Sequence, residues 1–516
     1  MWGRCKARGS HTLSSESTLP SYDVAVVGGG PAGAMTAWSL ARRGARVVVL
    51  DREIFPREKV CGDFIEPRGL RLIEAMDGAA ALAGTAHLPI THVAIFLGER
   101  IAYRNAIPFY GGGHGLPPHG YIVPRRQLDI RLLDAARKVG ASVQESAAVI
   151  GFERRRHFVD VQIRRGKRNS HVRTRLIVGA DGARSIVARQ AGLLDDDSRY
   201  TAVSQRAYAE NVRLDRGEAA FVFDGDLFPG YGWMFPMAGG GANIGVGILS
   251  EARNRYSISV PALFQAFVDK LKRRHAGCRD LKITGRPLGG IVKTYGGAGR
   301  NYFDGGVLVG DAGCFVDPMT GEGITPALES ALIASSTLAA ALEQGHTDAQ
   351  HLSSFERDFR RYFDPAMRYL DLCATIMRNR HLRDFWLQVA ASGCMEAATD
   401  PNFARISGAS FGGLDIRPAT ILAQMWMKMV YDIGAGSAQQ LLSMLGGRPG
   451  SSSRWVSDLK MLRVGWCRSL SDDPVWHVLW TADVMQKWVG VFKSLQLSPD
   501  PRFAGPSLPF AALPRR

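Results

Sequence analysis

Three glycines carry the first chemistry in this chain. Gly28, Gly30 and Gly33 stand as GxGxxG in SYDVAVVGGGPAGAMTAWSLARRGARVVVLDRE. In that spacing the first glycine permits a tight turn, the second admits a pyrophosphate to the backbone, and the third lets a helix pack closely on a strand. Phosphate oxygens then face unpaired N–H groups at the positive end of the helix. Asp51 lies about 20 residues beyond the glycines, where a carboxylate bonds ribose hydroxyls, and Arg52 is grouped with it.

Further groups lie downstream. Cys61 and Gly62 follow Phe55-Pro56-Arg57-Glu58-Lys59-Val60 on a loop. A thiol there is either a proton donor or a small buried residue. Asp181-Gly182 sits in VGADGARS, and Gly310-Asp311 precedes Gly321-Glu322-Gly323-Ile324. Arg125 opens the helical pattern RRQLDIRLLDAA. Tyr231, Trp233 and Phe235, followed by Pro236, have the period of a strand and point to one face. That face is either an ordinary sheet core or an apolar wall suited to an isoprenoid or another flat hydrophobe. The seven cysteines show no CxxC or other metal-like spacing, so reduced thiols and no metal are expected.

The elements that position these groups follow from pattern. An apolar strand from Tyr22 to Gly28, a helix from Pro31 to Gly44 and a second buried strand from Ala45 to Leu50 make a β-α-β unit. Residues Glu153 to Arg175 alternate apolar and basic positions, which predicts a hairpin with a solvated basic face. Residues from about Ala202 to Leu249 predict consecutive strands forming a separate sheet. Val307 to Val309 returns to a buried strand, followed by an Ala-rich helix. The predicted fold is α/β: a Rossmann-type nucleotide-binding domain of discontinuous segments, an inserted antiparallel β-sheet substrate domain, and a C-terminal helical region. The expected divisions are a disordered tail at 1–20; the nucleotide domain at 21–90, 125–195 and 300–345; the sheet domain at 91–124 and 196–299; helices at 346–497; and a loose tail at 498–516.

The chain has 516 residues, too many for one simple core. It carries 64 Lys plus Arg against 48 Asp plus Glu, a formal charge of +16. Such a surface favours anionic partners. The first 20 residues lack a signal-peptide core, and no apolar run reaches the roughly 18 residues of a spanning helix. A cytoplasmic protein, able to sit peripherally at a membrane, is expected. The segment LWTADVMQKW, from Leu479 to Trp488, is read either as a core helix or as a membrane-surface helix.

Taken together, the three glycine motifs resemble those of the FAD-binding superfamily that includes aromatic hydroxylases, flavin halogenases and geranylgeranyl reductases. The resemblance implies FAD, with Asp311 on the ribityl chain, the Gly321–Ile324 segment against the flavin ring and Arg125 over the flavin. Within that superfamily the FPREKVCGD segment, the Y-x-W-x-F-P strand followed by Gly245-Val246-Gly247, and the GEGI loop are similar to the geranylgeranyl reductase family. The resemblance covers roughly residues 22 to 345. It implies an active-site place for Cys61 and a lipid pocket lined by the Tyr231–Pro236 strand. The expected activity is transfer of hydride from reduced FAD to a carbon–carbon double bond of an isoprenoid or related lipid. A monooxygenase or epoxidase on an apolar metabolite is the alternative, and a catalytically silent flavin relay a third reading. NADPH and reduced ferredoxin are both open as the reductant; an acidic ferredoxin would suit the basic surface. No nucleic acid is expected.

Overall fold

The computed structural model describes residues 21–77, 81–107, 116–156, 158–194, 196–215, 217–401 and 454–496. The expectations for both tails, and part of that for the C-terminal helices, lie outside these residues.

The expected β-α-β unit forms from strand Tyr22–Val27, helix Pro31–Ala41 and strand Val47–Leu50. All four residues of the second strand are buried, as a parallel strand covered on both faces requires. These strands lie in an eight-stranded sheet. Its main path runs Tyr302–Phe303, Gly306–Leu308, Arg168–Gly179, Tyr22–Val27, Val47–Leu50 and Ser142–Gln144. The register places Val26 between Val178 and Val49. Helix Ile324–Gln344 packs on the first helix, and Ala34, Ala37, Ala331 and Ala334 share their core.

The predicted basic hairpin is present. Val159–Arg165 pairs antiparallel with Arg168–Gly179, and a third strand, Ala148–Arg154, joins it. Val159, Val161 and Ile163 are buried while Gln162, Arg164 and Arg165 are exposed.

The second sheet has seven strands in the order Lys282–Lys293, Thr201–Glu210, Ala242–Leu249, Gly230–Pro236, Glu218–Phe223, His92–Leu97 and Arg100–Ala106. It is antiparallel except where His92–Leu97 runs parallel to Glu218–Phe223. Sequence pattern does not reveal a third, small sheet. In it Gly120–Ile122 pairs with both Phe64–Ile65 and Leu88–Ile90, joining segments that the expected boundary at residue 90 divides. Those runs are too short to carry a readable period.

Helix Ile324–Gln344 is, among the described residues, the one helix long and apolar enough to cross a membrane, and 83% of its apolar window is buried inside the protein. Its composition is that of a core helix. C-terminal to it lie helices Ala349–Met377, Arg383–Thr399, Arg454–Asp472 and Pro474–Gln496. The last packs against Ala349–Met377, burying Trp480, Val484 and Val491 together with charged groups. Its charged Lys487 and Asp483 turn inward, to Asp371 at 2.9 Å and Arg378 at 3.3 Å. Trp480 is buried with them and donates to the Thr375 carbonyl at 2.8 Å.

Candidate active site

A cavity of about 450 Å³ lies between the two large sheets. All predicted cofactor and substrate residues line it except Gly33 and Pro236. Gly33 sits behind the turn, where a Cβ would overlap the Gly28 carbonyl oxygen. Pro236 ends its strand opposite Ala242. The cavity also reaches Ala374 and Met377 on a C-terminal helix, which sequence reading missed.

The glycine turn is built for close approach. Gly28 has φ +101°, and a Cβ there would overlap the Ala180 carbonyl. A Cβ on Gly30 would meet nothing nearer than Arg57 Nη2 at 3.5 Å, so the backbone is open on the cavity side. Asp51 lines the cavity and also holds backbone. Its Oδ2 accepts from Gly29 N at 2.6 Å and its Oδ1 from Glu53 N at 2.8 Å, tying the turn to the end of the second strand. Asp181 likewise holds backbone: Oδ1 accepts from Ser185 Oγ at 2.5 Å and Oδ2 from Ile186 N at 2.7 Å.

The loop Gly321–Gly323 leads into helix Ile324–Gln344. Gly321 has φ +70°, a conformation that favours glycine. Asp317 Oδ1 accepts from Met319 N at 2.7 Å and Thr320 N at 2.9 Å, and Glu322 Oε1 from Thr325 N at 2.8 Å. Tyr231 reaches across from the aromatic strand and donates its hydroxyl to the Thr320 carbonyl. Backbone N–H groups at such a helix start favour negative charge. The open glycine turn, the two Asp-Gly corners and this loop share one cavity, and their donor set fits the phosphates, ribityl chain and ring of FAD.

The aromatic wall lies on one face, as the period predicts. Tyr231 and Trp233 have ring centroids 6.1 Å apart, and Trp233 and Phe235 6.3 Å. Opposite them lies the Cys61–Asp63 loop. A Cβ on Gly62 would stand 2.8 Å from the Phe235 ring, so only glycine leaves that gap open. Burial pushes the Cys61 thiol above its ordinary range, although the nearby Arg125 cation opposes this. The group is therefore a protonated thiol at neutral pH.

Asp63, in the same CGD sequence, was not singled out by pattern. It is fully buried at φ +65° and accepts from Tyr208 Oη at 2.8 Å, Asn243 Nδ2 at 2.9 Å and Arg125 N at 3.3 Å. Burial nevertheless raises its carboxyl to about 6. Arg125 is no surface residue. It is buried and gives Asp129 two bonds, from Nε at 2.8 Å and Nη2 at 2.9 Å. Arg57 Nη1 approaches the same carboxylate at 3.0 Å. Arg206 of the second sheet pairs with Glu58 at 3.0 Å, fastening the FPREKVCGD loop from the other side.

Away from the cavity, ligand atoms of His346, Asp348 and His351 lie within 4.8 Å of one another, a grouping that chain spacing did not suggest. Asp348 there accepts from His351 N at 3.2 Å at the start of a helix.

Comparison with known proteins agrees with this geometry. Residues 21–219 match the FAD binding domain family. The chain is 32% identical over 337 residues to menaquinone reductase of Mycobacterium tuberculosis, covering 62% of this chain and 76% of the relative. It is 30% identical over 379 residues to digeranylgeranylglycerophospholipid reductase 1 of Methanopyrus kandleri, covering 68% and 90%. The fold matches a geranylgeranyl bacteriochlorophyll reductase-like protein of Thermoplasma acidophilum with TM-score 0.61 and 23% identity over 73% of this chain and 90% of that one. A myxobacterial chondrochloren halogenase matches at TM-score 0.58 and 25% identity over 69% and 83%. Motifs, cavity and relatives converge: the chain belongs to the geranylgeranyl reductase family of FAD-dependent oxidoreductases, within the superfamily that also holds the FAD-dependent hydroxylases and halogenases.

Proposed function

We propose that this enzyme reduces a carbon–carbon double bond in an isoprenoid or isoprenoid-bearing lipid. The carrying observation is the single cavity in which the Tyr231–Phe235 wall faces both the Cys61 thiol and the Gly321–Ile324 loop. The lipid and quinone reductases among its relatives support the substrate class.

The bound FAD would supply the hydride. The protein's part is to bind, orient and protonate. The glycine turn and the corners at Asp181 and Asp311 hold the cofactor. The three aromatic rings hold an apolar chain and exclude water. Cys61 is placed to hand a proton to the second carbon. The electron donor is proposed to be NADPH or an acidic protein such as reduced ferredoxin, docking on the basic strand face.

A peripheral membrane contact belongs to the same proposal. The outward side of helix Pro474–Gln496 is apolar: Val475, Val478, Leu479, Met485, Val489 and Phe492 are all more than half exposed. The helix packs on Ala349–Met377, whose Ala374 and Met377 line the cavity on its inner side.

Anaerobic turnover tests the function. Purified enzyme with reduced flavin and a polyprenyl lipid should yield a product heavier by two hydrogens, without air. A product gaining one oxygen atom, and only in air, would replace this reading with monooxygenation.

A further inference from the structure

Behind the flavin loop lies a row of buried acids that the mechanism above does not use. Glu66 precedes helix Pro67–Asp77, which carries Arg68; Glu322 lies in the loop just before helix Ile324–Gln344, and Thr325 and Glu329 lie at the start of that helix. The spacing of four puts Thr325 and Glu329 on one side of that helix, and Glu322 Oε1 reaches it by accepting from Thr325 N at 2.8 Å. The two helices meet tightly there, since a Cβ on Gly69 would stand 2.6 Å from Thr325 Oγ1. Glu66 and Glu322 face the cavity. Glu329 is fully buried one step deeper.

The charges do not balance. Arg68 Nη1 donates to Glu329 Oε1 at 2.9 Å, and Nη2 approaches Glu66 Oε2 at 3.7 Å. Asp317 raises Glu66 from the flavin loop, and Glu66 in turn raises Glu322. One buried guanidinium thus faces four carboxyl groups. The remaining neighbours, Tyr362 on Glu329 at 2.8 Å and Tyr231 on the loop, are neutral phenols. Several unpaired carboxylates in such a site cost too much, so protons must be retained. The hydrogen-bond inventory has room for them. Glu322 Oε2, Glu329 Oε2 and Thr325 Oγ1 are buried with no hydrogen-bond partner among the described residues. Orphans clustered at one helix start call for protons or water.

We propose that the Glu66–Glu322 pair, backed by Arg68 and Glu329, is the proton reservoir of the site and restores the Cys61 thiol after each reduction. The proposal rests on the reductive reading above. In the step it serves, the alkene π bond opens. One carbon gains hydride, with its electron pair, from reduced flavin, and the other gains the Cys61 proton. Two C–H bonds form, the S–H bond breaks, and the flavin is left oxidised. A shared carboxyl proton then passes to the thiolate, and water refills the pair. The two-electron donor that re-reduces the flavin is a reduced nicotinamide or two equivalents of a one-electron protein. The direction is downhill. Burial and the neighbouring carboxylates raise Glu66 to about 7 and hold Glu322 well above its usual value, while the thiol lies above both an ordinary thiol and Glu66. Tyr231 lines the same cavity as Cys61 and Glu322 and donates its hydroxyl to the Thr320 carbonyl, two residues from Glu322.

The test is infrared titration of the full-length FAD-loaded enzyme, with Glu66→Gln and Glu322→Gln. A protonated-carboxyl band should be present at pH 6 and fade through about pH 7. Either substitution should abolish the transition near 7 and leave the one near 6 that belongs to Asp63. In turnover, Glu66→Gln should keep the first, single-cycle reduction by prereduced enzyme. The steady-state rate of both variants should fall at least about tenfold, with the neutral-pH dependence gone. Absence of a carboxyl transition near pH 7 that is lost in Glu66→Gln overturns the reservoir, as do variants with the wild-type pH profile. If Glu322→Gln loses flavin, Glu66→Gln alone decides. A titrating band without lipid reduction keeps the proton store and refutes the reductase reading; reduction without the band refutes the store alone.

Discussion

Asn243 and Asp63 meet at 2.9 Å, the amide Nδ2 donating to the carboxyl Oδ2. The same amide donates to the Cys61 carbonyl at 2.9 Å and accepts from Trp233 Nε1 at 3.0 Å. One fully buried side chain therefore fixes the thiol loop, the acid beside it and the aromatic wall in one geometry. Asn243→Leu would leave the indole N–H and the Cys61 carbonyl without these partners. Orphaned buried groups cost roughly 1–3 kcal/mol each. We expect a loss of about 2–5 kcal/mol in denaturant unfolding, with lipid turnover falling more than flavin content.

Asp63 should leave a mark on stability. Its carboxyl lies at about 6 in the folded protein against an ordinary value of 3.8. A raised acid favours folding while it is protonated, so this stability is fully present below about pH 4 and is lost as pH rises through about 6. The difference corresponds to roughly 3 kcal/mol. Unfolding free energies of Asp63→Asn, measured from pH 4 to 7, should lack that decline relative to wild type. An unchanged slope would place the titration elsewhere.

The GxGxxG turn, the parallel strands and the aromatic face were legible because each repeats a local rule: a fixed glycine spacing, a continuous apolar run, a period of two. Asp63 and Glu322 were not. Each lies inside a motif the sequence displays, CGD and GEG, but its role depends on partners far along the chain. Asp63 meets Tyr208 145 residues away. Arg68 and Glu329 are separated by 261. Burial of an acid is a tertiary fact, and neither composition nor period encodes it. The inward turn of charged groups on helix Pro474–Gln496 was hidden for the same reason. Its sequence is compatible with either face inward until Asp371 and Arg378 claim Lys487 and Asp483.

Two glycines should fail in different ways. Gly33→Ala places a Cβ on the Gly28 carbonyl and should abolish FAD retention and destabilise the fold by about 3 kcal/mol or more. Gly62→Ala points its methyl at the Phe235 ring. It should retain flavin with a normal absorption spectrum while raising the lipid KM about tenfold. Flavin content and KM, measured on both, separate the two roles.

Arg68 is the cation of the buried acid row. Arg68→Met leaves Glu66 and Glu329 without it, and breaking such a pair costs roughly 3–5 kcal/mol. Arg68→Met combined with Glu329→Gln removes the deepest carboxylate as well and should recover at least about half of that loss. Chemical denaturation of the two variants and wild type provides the measurement. Equal instability of single and double variants would show that the charge on Glu329 is not what Arg68 balances.

The exposed face of helix Pro474–Gln496 predicts a solution property independent of the flavin. Val475 is 72% exposed and Leu479 65%, on a helix whose charged Asp483 and Lys487 turn inward. An apolar stripe of this length on a water-facing surface marks a contact site. Lys493 on the same helix is exposed, as are Lys460, Arg463 and Arg468 on the preceding helix, which suits anionic headgroups. Wild-type protein should therefore co-sediment with liposomes rich in phosphatidylglycerol and be released by salt only in part, because burial of the apolar side chains is not screened. Leu479→Glu with Met485→Glu changes only outward positions. It should preserve thermal stability and flavin content, and lower liposome association by about tenfold or more. If the double variant still sediments with liposomes, the contact lies on another surface. If wild type stays in the supernatant and self-associates in velocity sedimentation, the stripe is the seam between two copies of this chain.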